Sequence, residues 1–127
     1  MSDQREESRS VEAKFSRWWS RRCREREERR ESSRAVKKIL LSRGRPVFEQ
    51  YGLHKVYLFG SVTQGRWLEG SDVDLLVMPL ASDRYWDFRH DLEEALDLPV
   101  DLYTQADEGR LVERIMATGE IVYAARL

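Results

Sequence analysis

Hydrophobic positions Val11, Phe15, Trp18, Trp19 and Cys23 fall three or four residues apart, with one adjacent pair, which predicts an amphipathic helix. The stretch before it, MSDQREESRS, is polar and predicts a frayed or disordered end over residues 1–10. The segment RRCREREERRESSR is nearly all charge, with Arg and Glu often three or four apart, and reads as a solvated helix. Val36, Ile39 and Leu40 mark the face of a further helix, and Gly44 suits its end. Pro46 can open a short helix carrying Val47, Phe48 and Tyr51, closed by Gly52. KVYLF is rich in strand formers, and DVDLLVM follows as a second strand after the turn-like EGS. Tyr85, Phe88, Leu92 and Leu96 lie at helical spacing until Pro99 forbids continuation. PVDLYT reads as a third strand. Leu111, Val112, Ile115 and Met116 predict another helix, followed by Gly119 and a last strand, EIVYAA. No internal repeat or long linker interrupts this order. Residues 35–127 therefore read as a compact α/β unit, and residues 1–34 as a charged helical extension.

Charge sharpens that division. The chain has 127 residues, enough for one domain, of which 41% are hydrophobic and 35% charged. Residues 1–34 hold 11 of the 22 Lys and Arg but 8 of the 23 Asp and Glu, so the extension is net basic and the remainder net acidic. The formal net charge of −1 does not fit a protein that coats nucleic acid, and direct nucleic-acid binding is not expected. Cys23 is the single cysteine and can form no intramolecular disulfide; with no His nearby it reads as an incidental thiol. No secretory apolar segment is visible, and no apolar run approaches the ~18 residues of a membrane span, so no membrane partner and a cytoplasmic location are expected. Phe15, Trp18 and Trp19 beside basic residues allow an RNA-binding face. The plainer reading is an apolar stripe packed on the α/β unit, on a second copy of the chain as a homo-oligomer, or on another partner.

The chemistry concentrates in LFGSVTQGRWLEGSDVDLLV, residues 58–77. In a strand, residues i and i+2 share a face, so Asp72 and Asp74 project together while Val73, Leu75 and Val77 project oppositely. Two unpaired carboxylates cannot be plain core, because desolvating them is costly. Solvent exposure resolves this, and so does a divalent cation, since closely spaced carboxylate oxygens suit Mg²⁺. Gly60 and Ser61 follow the first strand, where a small residue and a hydroxyl can set backbone N–H groups against a phosphate. An ordinary turn is the alternative. Asp101 also projects from a half-apolar strand, and would join the other two if that strand lay beside DVDLLVM.

Gly60-Ser61, ten residues, then Asp72-Val73-Asp74 resembles the signature of the DNA polymerase β-like nucleotidyltransferases. The frame from YGLHKVYLFGS through SDVDLLV and PVDLYT to EIVY looks most like the minimal nucleotidyltransferase (MNT) subgroup, over roughly residues 35–127. The resemblance implies a mixed β-sheet of about four strands flanked by helices. It implies that Asp72 and Asp74 hold Mg²⁺, two ions in the full site, that Asp101 is the third carboxylate, and that all three are catalytic. It implies nucleotide binding, with ATP as substrate, by Gly60 and Ser61, to which Gln64 and Arg66 are added here. Gln64 departs from the pattern, since family members often carry Arg or Lys three residues after the serine.

The resemblance also bears on the acceptor. Only 26 residues follow Asp101, too few for a second substrate-binding domain. MNT proteins of this size are typically encoded beside a HEPN-domain ribonuclease-type toxin and act as its antitoxin, transferring AMP from ATP to a toxin tyrosine. The alternatives are a binding module that neutralises a HEPN partner by contact alone, and a small-molecule nucleotidyltransferase. Every predicted site residue lies beyond position 58, so the extension is expected to carry no chemistry.

Overall fold

One helical run carries the chain from Asp3 to Gln50 in the computed structural model, which describes residues 3–126. It comprises α1 (Asp3–Ile39), a π-helical turn (Leu40–Gly44) and α2 (Arg45–Gln50). The predicted frayed end falls partly outside the described residues; from Asp3 onward the backbone is helical. The expected break at Gly44 is absent. Gly44 keeps right-handed helical angles (φ −75°, ψ −35°) and is buried. Its missing side chain serves packing rather than a cap, because a Cβ there would lie 3.0 Å from the Phe48 ring. Pro46 lacks an N–H and would interrupt an α-helical ladder, but it falls in the first turn after the π-turn has already changed the bonding pattern.

Four strands follow: β1 (Lys55–Phe59), β2 (Val73–Met78), β3 (Val100–Thr104) and β4 (Glu120–Ala124). They form one sheet in the order β3-β2-β1-β4, with β1 antiparallel to β2 and β4, and β2 parallel to β3. The parallel pair needs a crossover, which α3 (Tyr85–Leu96) supplies. Asp97, in the left-handed conformation, ends α3 just before Pro99. The α4 helix (Gly109–Thr118) is capped by Glu108, whose side chain accepts from the N–H groups of Arg110 and Leu111 at 3.2 and 3.1 Å.

Helices cover both faces of the sheet. Val56, Leu58, Val73, Leu75, Val77, Val100 and Leu102 face the last turns of α1, α2 and α3, burying Val36, Leu40, Phe48, Phe88 and Leu92. Tyr57 and Leu76 turn the other way and bury Ile115 of α4. This two-sided burial makes LLV in β2 continuously apolar. Among the described residues, the extension joins the core at its end. Ser33 is buried and its Oγ accepts the Trp67 N–H at 3.1 Å. Farther out, Phe15 is 62% exposed and Trp18 and Trp19 are 43% and 49% exposed, so the aromatic stripe does not pack on the α/β unit as one reading expected. Among the described residues, no helix is long and apolar enough to cross a membrane.

Candidate functional site

The parallel pairing of β2 and β3 decides which carboxylates meet. Asp74 and Asp101 are register partners, second residues of their strands, and point to the α4 side of the sheet. Both are half-buried. Asp72 precedes β2 and is exposed. The expected three-carboxylate set is therefore drawn unequally: two are held by strand register, and the third stands at the rim. Among the described residues, no three acidic, His or Cys side chains close on a single point as a ready-made metal cage.

The charges nonetheless act on one another. Burial, and then the carboxylates of Asp101 and Asp72, push Asp74 from its ordinary 3.8 up to about 6. Like charges facing each other at a half-buried position repel until a proton or a cation intervenes. Hard carboxylate oxygens are the donor class that Mg²⁺ takes, so the donor chemistry here fits that ion.

Gly60 closes the site from β1. Phe59 pairs with Asp74, and the chain then turns through Gly60 at φ +77°. A Cβ at this position would run into Asp74 Oδ2, so only glycine allows the turn to lie this close to the carboxylate. Ser61 begins a compact loop in which Thr63 Oγ1 donates to the Gly60 carbonyl at 2.7 Å and the Arg66 N–H donates to the Ser61 carbonyl at 2.9 Å. Gln64 and Arg66 are exposed on this loop, and line one cleft with residues of α1.

Tyr103 is a residue that the sequence reading passed over. Its hydroxyl donates to Asp101 Oδ2 at 3.3 Å, and its ring meets Phe59 edge-on at 5.5 Å between centroids. The Asp101 charge leads the causes that raise the tyrosine's pKa. The signal was present, because Tyr103 lies two residues beyond Asp101 on a strand and must share its face. Trp67, on the loop after Ser61, is core: it is buried, and its indole N–H donates to the Ser71 carbonyl at 3.0 Å.

Sequence and structure comparisons identify the family and the fold. A family model described as polymerase beta nucleotidyltransferase matches residues 45–126. No curated protein matches the chain. A chain from a crystal structure of a toxin–antitoxin with AMP-PNP superposes with a TM-score of 0.58 at 25% identity, covering 68% of this chain and 74% of the other. A chain from the complex of a tri-AMPylated Shewanella oneidensis HEPN toxin with its MNT antitoxin superposes at 0.52 with 20% identity, covering 70% and 73%, a likeness of fold. A chain from the MntA–HepT toxin–antitoxin gives 0.53 at 21% identity, covering 69% and 73%.

Proposed function

This chain belongs to the polymerase beta nucleotidyltransferase family, and from that premise we propose that it is a Mg²⁺-dependent enzyme that transfers AMP from ATP to a tyrosine hydroxyl of a HEPN-domain toxin, and so acts as a cytoplasmic antitoxin. The observation that carries the reading is the register pairing of Asp74 with Asp101 beneath the Gly60–Ser61 turn. Paired carboxylates of the donor class that Mg²⁺ takes, next to a glycine turn, support that reading. The toxin–antitoxin relative with AMP-PNP supports the nucleotide class, and the fold shared with a chain from an AMPylated-toxin complex motivates the acceptor class.

The residues divide the work. Asp74, Asp101 and the rim residue Asp72 are the donors that would hold Mg²⁺. Bound there, the ion would supply charge neutralisation for the attacking tyrosine oxygen and for the pyrophosphate that departs from the α-phosphorus. Asp101 is suited to accept the proton of the attacking hydroxyl, with Tyr103 orienting its carboxylate. Gly60 lets the nucleotide approach the backbone, and the Ser61 hydroxyl adds a contact to the triphosphate. The division into an extension, 1–34, and a catalytic domain, 35–127, is part of this proposal, with Ser33 at the seam.

The test is incubation of the chain with ATP, Mg²⁺ and a HEPN-domain protein encoded beside it, followed by intact-mass measurement. Addition of whole adenylate units to the HEPN protein, abolished by Asp74→Asn, is the expected result. Absence of any adenylate on the partner would refute the transferase reading. Neutralisation of the toxin by Asp74→Asn as fully as by the wild type would instead favour inhibition by contact.

A further inference from the structure

The end of α1 runs along the loop that follows the phosphate turn. Arg30 Cγ lies 3.3 Å from the point where a Gly65 Cβ would stand, and Ser33 holds the Trp67 backbone. Arg26, Arg29 and Arg30 are spaced i, i+3 and i+4, and so share a helix face. That face and the loop residues Gln64, Gly65 and Arg66 line a single cleft. Four guanidinium groups thus border one concavity, and no carboxylate lines it. Arg30 reaches Glu27 only at 3.9 Å. Among the described residues, Arg26, Arg29 and Arg66 take part in no salt bridge. Unpaired cations gathered in a cleft repel one another unless an anion is present.

We propose that this cleft binds the terminal phosphates of the nucleoside triphosphate, with Arg26, Arg29 and Arg30 of the extension supplying the positive charge that Gln64 does not. The inference rests on the nucleotidyltransferase function proposed above. The loop that lines the cleft continues from the phosphate turn and is tied back to it, the Arg66 N–H donating to the Ser61 carbonyl at 2.9 Å, although Gly60 and Ser61 do not themselves line the cleft. Guanidinium forks match phosphate oxygens in pairs, which a neutral amide at position 64 cannot do with charge. The cleft itself carries no aromatic ring, but Arg26 and Arg29 also border a neighbouring hollow with Trp18 and Trp19, so a single-stranded nucleic acid is the competing occupant that the experiment has to separate. Part of the extension thereby belongs to the substrate site, against the expectation that it carries no chemistry.

The experiment is calorimetric titration of the full chain with tripolyphosphate, ATP and AMP in the presence of Mg²⁺, AMP being read by competition where it binds weakly. The variants are Arg26→Gln with Arg29→Gln, and Arg26→Lys with Arg29→Lys; Arg66→Gln probes the same cleft from the loop should the helix variants not fold. Loss of two charge-assisted contacts should weaken ATP and tripolyphosphate binding by about tenfold or more, while AMP, lacking those phosphates, changes by less than about twofold. The Lys variant should recover most of the loss. Unchanged ATP affinity in a folded Gln variant overturns the proposal, as does an equal loss for AMP and ATP. Loss of binding to a single-stranded RNA oligonucleotide with ATP binding intact overturns it too, and assigns the cleft to nucleic acid. Arginine-dependent binding of tripolyphosphate by a wild type that does not take up ATP would keep the polyphosphate cleft and defeat the nucleotidyltransferase reading.

Discussion

Gly60 lies so close to Asp74 that any side chain at position 60 would occupy the space of the Asp74 carboxylate. Its φ of +77° also disfavours every L-residue. Gly60→Ala should therefore cost about 1–3 kcal/mol of stability in urea unfolding and displace Asp74 as it does so. If Asp74 holds Mg²⁺ as proposed, the ion should raise the melting temperature of the wild type, and this variant should lose that rise. A variant that melts like wild type and keeps its Mg²⁺ response would show that the turn does not need glycine.

The raised pKa of Asp74 sets the sign of a pH effect in metal-free protein. The folded state holds a proton more tightly than the unfolded chain, whose ordinary value is 3.8 against about 6 in the fold. This group's stabilising contribution is thus fully present below pH ~3.8 and is lost as pH rises to about 6. Asp74→Asn, which stays neutral, should be more stable than wild type at pH 7 without metal, and the advantage should vanish near pH 4. Mg²⁺ should reverse the order at pH 7, because the variant keeps Asp101 and Asp72 but lacks the Asp74 carboxylate that would hold the ion between them. Melting curves of both proteins across this range, with and without the ion, provide the check; a difference that does not vary with pH would contradict the assigned cause.

The Ser33 hydroxyl is one of the ties that hold the extension to the α/β unit. Ser33→Ala leaves the Trp67 N–H without its partner in a buried setting, which should cost about 1–3 kcal/mol. Hydrogen exchange should show the Trp67 amide losing protection before the β1 amides do. Equal protection at position 67 in the two proteins would mean that another acceptor replaces the hydroxyl.

Much of the architecture was legible in local pattern. Period-two alternation marked β2 and β3, helical spacing marked α3 and α4, and Pro99 and Gly119 stopped the helices near where they end, because backbone sterics act within a few residues. Gly44 misled for the same local reason. Glycine after a helical run commonly signals a left-handed cap, but here a distant demand, the approach of the Phe48 ring inside the core, used its missing Cβ instead.

The sequence alone established that Asp74 and Asp101 each project from an apolar strand, since side-chain alternation along a strand admits no other outcome. That they stand side by side was decided by tertiary structure, through the parallel register of β2 with β3. Register between partners 27 positions apart, Asp74 and Asp101, depends on how α3 packs across the strands, which no local spacing encodes. The same holds for Arg26, Arg29 and Arg30. Their helical spacing was readable, but the cleft they share with Gln64 and Arg66 exists because Ser33, Val36 and Leu40 dock the end of α1 on the body of the fold. Short-range sterics fix the elements; long-range burial chooses their neighbours, and the candidate site is made of neighbours.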